Sequence, residues 1–237
     1  MTQVKETILL VEDEPDVAEI IRRNLERSGF QVDWCSNGEE GLARVRRGGV
    51  DLAVLDIMLP GMDGRELCRS IRSDEGNVNL PIIMLTSLTE DQNIVIGLGA
   101  GADDYVKKPF SGLELVARVK AALRRGKLIG NAGDEKEGGK IRVGDLVLDP
   151  GRHVVTLSDE TVNLTLAEFR LLQFLMQNPG RAFKRRDLLT SVVGEGVQVI
   201  ERNIDVHVRN IRRKLGSCAK NIVTVRGIGY RFDPELD

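Results

Sequence analysis

The chain has 237 residues, of which 41% are hydrophobic and 30% charged, with a net charge of −2. This balance excludes disordered and fibrous classes, and apolar runs as short as Thr7–Val11 and Ile82–Leu85 leave no membrane-spanning helix and no membrane partner to expect. The start MTQVKETILLV passes straight into a strand-like segment, so no signal peptide is read, and three scattered cysteines (Cys35, Cys68, Cys218) fit reduced thiols in a cytoplasm.

In chain order, Thr7–Val11 reads as a buried strand and Pro15 suits the first turn of a helix. Val17, Ile20, Ile21 and Leu25 recur at helical spacing until Gly29. The alternation continues with a strand at Gln31–Cys35, a helix at Glu39–Arg47, a strand at Asp51–Leu55 and a helix at Asp63–Arg72. Pro81–Leu85 (strand), Asp91–Gly99 (helix), Asp104–Val106 (strand) and Gly112–Arg125 (helix) complete it. Strands alternating with helices predict an α/β domain over 1–125, built on a parallel sheet covered on both faces. Its chemistry belongs at the carboxyl ends of the strands. Residues 126–140, GKLIGNAGDEKEGGK, read as a flexible linker.

Over 141–237 the period changes. Short strands are predicted at Ile141–Val143, Leu146–Asp149, Val154–Leu157 and Thr161–Asn163, with turn signals at Asp149-Pro150-Gly151 and Ser158-Asp159. Thr165-Leu-Ala-Glu168 forms a capping box opening a helix through Met176. Helices at about Lys184–Val192 and Ile200–Leu215 follow, then a hairpin over Ile222–Phe232 that turns at its glycines. This is an α+β winged helix-turn-helix pattern. Charge divides with the domains: residues 1–125 hold 16 Lys+Arg against 21 Asp+Glu, whereas Arg181–Arg231 hold 12 against 4. A basic stretch beside an acidic domain suggests a polyanion for the C-terminal half.

The predicted strand ends of the first domain carry Glu12 and Asp13, Asp56, Thr86, and Lys108. Converging carboxylates need a cation between them, and oxygen ligands suit Mg²⁺. Asp56 is the candidate nucleophile because carboxylates form acyl phosphates, Lys108 supplies positive charge, and Thr86 offers a hydroxyl to a phosphoryl oxygen. The motifs Leu9-Leu-Val-Glu12-Asp13-Glu14, Val54-Leu-Asp56-Ile-Met58-Leu-Pro-Gly-Met-Asp-Gly64, Met84-Leu-Thr86-Ser87 and Gly101-Ala-Asp-Asp-Tyr105-Val-Lys-Lys108-Pro-Phe110 resemble the receiver domain of two-component response regulators. The resemblance implies a flavodoxin-like, doubly wound, five-stranded parallel sheet and transfer of phosphate from a cognate histidine kinase to Asp56. It further implies Mg²⁺ held by Asp13, Asp56 and the Met58 carbonyl, with Glu12 acting through water, and a switch pair of Thr86 and Tyr105. As a residue, Tyr105 also reads as an ordinary half-buried aromatic. Met58 and Leu88, both apolar, flank the expected path of attacking water, so self-dephosphorylation over tens of minutes or more is expected, without turnover of any other substrate.

The second domain resembles the effector domain of the OmpR/PhoB subfamily through Leu164-Thr-Leu-Ala-Glu168-Phe169, Arg202-Asn-Ile-Asp205-Val-His207-Val-Arg209-Asn210-Ile-Arg212-Arg213-Lys214-Leu215 and Val223-Thr-Val-Arg226-Gly-Ile-Gly-Tyr230-Arg-Phe232. Ile204, Val208, Ile211 and Leu215 form one apolar stripe, with Arg202, Arg209, Asn210, Arg213 and Lys214 off it. Such a helix can seat on its domain and enter the major groove of double-stranded DNA. Asn210 is then expected to read a base, favouring adenine, while Arg209, Arg212, Arg213 and Lys214 hold phosphates. His207 reads either as a phosphate or backbone contact or as a packed helix residue. Arg226 resembles a minor-groove wing arginine, with a solvated hairpin arginine as the plain alternative. Relatives contact RNA polymerase or its sigma subunit through the loop matching Gly194–Val199. They form a homodimer on activation through salt bridges on the surface matching Asp91–Gly99, Asp104–Val106 and Gly112–Arg125. Asp104 and Arg118 match one such pair, whereas Ile94 and Gly99 depart from the charged pattern and remove the usual partners of Glu114 and Lys120. Among other readings, an aspartyl phosphatase would need a second Asp where Met58 stands. A receiver that is never phosphorylated would lack pocket residues that this chain has.

Overall fold

The computed structural model describes residues 5–87, 100–130, 139–193 and 202–235, and the chain divides into two compact units, Met1–Arg124 and Arg125–Asp237. The predicted helix at Asp91–Gly99 with Ile94, together with Leu88 and the loop Gly194–Val199, lies outside the described residues.

In the first unit, β1 (Thr7–Val11), β2 (Gln31–Cys35), β3 (Leu52–Asp56), β4 (Ile82–Thr86) and β5 (Asp104–Lys107) form one parallel sheet in the order β2-β1-β3-β4-β5. Helices α1 (Pro15–Arg27), α2 (Gly38–Arg46), α3 (Gly64–Ser73) and α4 (Gly112–Gly130) connect and extend it. Alternate strand residues serve opposite layers. Ile8 and Leu10 join Ile21 and Leu25 of α1 and Leu115 and Val119 of α4 in one core, while Val11 faces Gly41 of α2 and Leu67 of α3. Burial on both faces explains why the strands are apolar without alternation. The strand order reverses between β1 and β3, which opens a crevice at the carboxyl edge there.

Local chemistry sets the helix starts around that crevice. Pro15 occupies the first turn of α1. The Asn37 side chain accepts from the Glu40 amide at 2.9 Å, and Asp63 Oδ1 accepts from the amides of Arg65 and Glu66 at 2.9 and 2.8 Å. α4 runs to Gly130 rather than ending at Arg125. The composition shift at Gly126 suggested a linker there, but Lys127, Leu128 and Ile129 all tolerate helix and one glycine costs only about 1 kcal/mol.

In the second unit, β6 (Ile141–Val143), β7 (Leu146–Asp149), β8 (Val154–Leu157) and β9 (Glu160–Thr161) form an antiparallel meander. Ser158 and Asp159, with φ of 50° and 65°, make its last tight turn. Helices α5 (Leu166–Gln177), α6 (Arg185–Val193) and α7 (Arg202–Leu215) follow. A second sheet has the order β10-β12-β11, from β10 (Phe183–Lys184), β11 (Ile222–Val225) and β12 (Gly229–Phe232). β10 is too short for any periodicity to announce. Gly229 lets it approach, since a Cβ there would overlap the Phe183 carbonyl oxygen. One core unites the two sheets and three helices through Leu148, Leu172, Leu188, Ile211 and Phe232.

The first turn of α3 fixes the end of β3. The Gly64 amide donates to the Ile57 carbonyl at 3.1 Å, and a Cβ on Gly64 would overlap the Asp56 carbonyl oxygen and press on the Ile57 Cα. Backbone cannot swing aside as a side chain can. Gly64→Ala is therefore expected to destabilise the first unit by about 1–3 kcal/mol, read as a lower urea midpoint. An unchanged midpoint would show that the α3 turn can back away from β3.

Candidate functional site

Each strand of the crevice contributes a polar residue at its end. Glu12 and Asp13 follow β1, Asp56 ends β3, Thr86 ends β4, and Lys108 follows β5 ahead of a cis Lys108–Pro109 bond. Glu12 is fully buried and Asp56 is 3% exposed. Carboxylate oxygens of Glu12, Asp13 and Asp56 lie within 4.8 Å of one another. The Lys108 ammonium donates to Asp56 Oδ2 at 2.6 Å and to both Glu12 oxygens at 3.1 and 2.9 Å. The other Asp56 oxygen, Oδ1, accepts from the Met58 amide at 3.2 Å.

This arrangement is electrostatically under-compensated, with three carboxylates facing one ammonium. Burial pushes Glu12 up to about 7, with the Lys108 hydrogen bond opposing that rise and the Asp56 charge adding to it. Burial works against the Lys108 charge, but its bonds to Asp56 and Glu12 hold its pKa above the ordinary lysine value. A set of hard oxygen donors so close together can hold a metal ion.

Thr86 is 1% exposed and Tyr105 5%. The register Met84↔Tyr105 and Thr86↔Lys107 puts both side chains on one face of the β4–β5 pair. The Tyr105 hydroxyl is buried without a hydrogen-bond partner among the described residues, and burial raises its pKa. Tyr105 is thus a core residue and not a half-exposed aromatic.

The surface expected to pair between chains holds ion pairs within this one chain. Arg118 Nη1 donates to both Asp104 oxygens at 3.0 Å, and its Nη2 to Glu114 at 3.0 Å, all within one chain. Asp104 and Arg118 are 3% and 4% exposed. Asp104 and Arg118, which match a pair between chains in relatives, bond each other within this one chain, because the helix that follows β5 carries its own counter-charge back onto that strand.

In the second unit the α7 stripe of Ile204, Val208, Ile211 and Leu215 is wholly buried, as the sequence predicts. Arg209 and Arg213 are exposed one turn apart, Arg226 is exposed at the β11–β12 turn, and Arg202 opens the helix. His207 takes its packed alternative, and the direct-contact expectations for Asn210, Arg212 and Lys214 need correction. His207 is 1% and Asn210 5% exposed, so neither imidazole nor amide is presented to a base or phosphate. At this spacing they share a flank with Lys214, whose ammonium binds Glu168 at 2.6 Å. Glu168, 1% exposed, also accepts from the Thr165 amide in the capping box at the start of α5. Arg212 is likewise committed inward, donating to the Ile222 carbonyl at 2.6 Å and to Thr224 Oγ1 at 2.8 Å. Sequence reasoning missed Asp205, which accepts from Arg185 at 2.7 Å and the Tyr230 hydroxyl at 2.6 Å, with the Arg185 and Arg212 guanidinium groups over the Tyr230 ring. The acid-base-aromatic character of these residues was visible, but nothing local in the sequence brings Arg185, Asp205 and Tyr230 together.

A phosphoacceptor-type pocket on a five-stranded parallel sheet, followed by a winged helix, defines the class of the response regulators. The sequence matches the response regulator receiver domain over residues 8–120 and the C-terminal domain of transcriptional regulatory proteins over 159–232. It is 45% identical to the phosphate regulon transcriptional regulatory protein PhoB of Pseudomonas aeruginosa, over 97% of this chain and 98% of that protein. Among solved structures, a mutant of RitR aligns with a TM-score of 0.73 at 26% identity, over 96% of this chain and 99% of that one. DrrB, an OmpR/PhoB homolog of Thermotoga maritima, aligns with a TM-score of 0.50 at 31% identity, over 97% of this chain and all of that one. The chain belongs to the two-component response regulators of OmpR/PhoB type, DNA-binding transcription regulators governed through a receiver domain. Among the described residues no helix is long and apolar enough to cross a membrane.

Removing the ammonium would leave Glu12 and Asp56 buried against each other. Lys108→Ala is expected to cost about 3 kcal/mol in metal-free buffer, measured by urea unfolding. A wild-type midpoint would mean that water reaches and screens these carboxylates.

Proposed function

We propose that Asp56 accepts a phosphoryl group from a cognate histidine kinase in the presence of Mg²⁺. The acyl phosphate then switches dimerisation and sequence-specific binding to double-stranded DNA. The observation that carries this reading is the convergence of Glu12, Asp13 and Asp56 around the Lys108 ammonium. An Asp56 oxygen attacks phosphorus, the phosphorus–nitrogen bond of the donor histidine breaks, and the imidazole leaves with that electron pair. Asp13, Asp56 and the Met58 carbonyl would ligate Mg²⁺, with Glu12 one water away. When bound, the ion supplies positive charge to the transferring phosphoryl oxygens. Lys108 stays on the product, and Thr86, at the end of β4, donates to a phosphoryl oxygen. Met58 is apolar and 59% exposed and offers attacking water no hydrogen bond from its side chain. The phosphoprotein is therefore long-lived and turns over no other substrate.

For the DNA contact we assign Arg209 and Arg213 to phosphates, Arg202 to the groove entrance and Arg226 to the minor groove. Arg212, Lys214, His207 and Asn210 act through the placing of α7 and not through direct contact. The loop 194–199 is assigned to RNA polymerase, and the protein to the cytoplasm. The homodimer forms on the β5–α4 side of the receiver, where Asp104, Glu114 and Arg118 lie.

Sedimentation velocity with Mg²⁺ and beryllofluoride, a phosphoryl mimic, tests the switch. A monomer-to-dimer shift is expected for the native chain and none for Asp56→Ala. A native chain that remains monomeric would remove dimerisation from the reading, and a shift that survives the substitution would remove Asp56. For DNA, Arg213→Ala is expected to reduce the slope of log K against log[salt] by about 1, with little change in sequence preference. A change of preference at an unchanged slope would move Arg213 from a phosphate to a base.

A further inference from the structure

The peptide between Glu12 and Asp13 is held by a side chain from outside the pocket. β1 ends at Val11, and the Glu12 amide adds one rung by donating to the Cys35 carbonyl at 3.2 Å. β2 stops at Cys35, and Asn37 then caps α2, so the strand ladder supplies no further donor. The Glu12 carbonyl is met instead by the indole of Trp34, whose Nε1–H donates at 2.9 Å. Trp34 is 44% exposed, so water could have satisfied its N–H, and burial does not force this bond. The bond has a consequence for the pocket. A peptide unit is planar, so fixing the Glu12 carbonyl also fixes the plane that carries the Asp13 Cα. The directions in which the Glu12 and Asp13 side chains leave the backbone are set at the two ends of that plane.

We propose that Trp34 is a positioning residue for the divalent cation, holding the Glu12–Asp13 peptide so that both carboxylates converge on Asp56. The proposal rests on the reading of the pocket as a cation site. The indole touches neither the cation nor the phosphoryl group, and it acts through the backbone of the ligands. Partners one step removed from a metal typically govern about 10–100-fold in its affinity.

Trp34 is the one tryptophan of the chain, so replacing all tryptophan biosynthetically by β-(3-benzothienyl)alanine changes this residue alone. Sulfur then stands where the indole N–H was, at nearly constant shape. Mg²⁺ binding to the full chain would be measured by calorimetry for the native protein, the benzothienyl form and Trp34→Phe. Thermal unfolding without metal would be followed in parallel. Both altered forms are expected to bind Mg²⁺ about tenfold more weakly, with metal-free unfolding midpoints unchanged. Native indole fluorescence is expected to titrate with Mg²⁺ at the calorimetric affinity. Native affinity in the benzothienyl form would overturn the proposal, whether or not Trp34→Phe weakens binding, because ring packing would then suffice. A native chain that binds no Mg²⁺ would instead overturn the cation reading of the pocket itself, and this proposal with it.

Discussion

Two carboxylates buried at the end of an apolar sheet, held by a single ammonium, are the interaction on which the first half of the molecule is organised. An isolated buried charge costs several kcal/mol, a sum comparable with the whole stability of a domain. Glu12 and Asp56 are therefore tolerable only because Lys108 reaches both from the end of β5. A parallel sheet makes that reach possible, because every strand delivers its last residue to the same edge. The same edge then gathers Thr86 and the Met58 amide without any dedicated element. The residual negative charge is what lets the pocket hold a cation.

The second half solves a related problem with the opposite outcome. Glu168 is buried and Asp205 half-exposed, and each is answered by a cation from another element: Lys214 for the first, Arg185 for the second. These bonds fasten α7 at both ends, to the start of α5 through Lys214 and to α6 and β12 through Asp205. Arg212 fastens it to β11 as well. Among the side chains described from Ile204 to Leu215, Arg209 and Arg213 are the exposed ones. Basic residues on one helix thus divide between holding the helix in place and facing a polyanion, and their charge alone does not say which does which.

That division marks where the sequence was legible. Periodicity found the apolar stripe of α7 because Ile204, Val208, Ile211 and Leu215 are apolar and repeat at helical spacing. It could not find the burial of Asn210, and left that of His207 open, because a helix enclosed on more than one side also buries polar residues, and polarity reads as exposure. Asp56, Thr86 and Lys108 were readable because each follows an apolar strand, and the strand ends converge by topology. The Trp34–Glu12 bond and the Arg185–Asp205–Tyr230 set were not, since each joins residues 20 or more positions apart through at least one side chain. β10 escaped for a simpler reason: two residues have no period. The extension of α4 to Gly130 escaped because glycine-rich composition signals a linker even where Lys127, Leu128 and Ile129 tolerate helix.

The energies involved also bound how the pocket can act as a switch. The Tyr105 hydroxyl is buried without a partner among the described residues, a cost of about 1–3 kcal/mol. A charge-assisted hydrogen bond from Thr86 to a phosphoryl oxygen is worth about the same amount. Under the proposed switch, these two contributions are of a size that a single covalent event could exchange. A fully satisfied Tyr105 would deepen one arrangement, and a phosphoryl group would then shift its population less. In the proposed switch, the unpaired hydroxyl raises the energy of the present arrangement, and an acyl phosphate would draw the β4–β5 ends toward another.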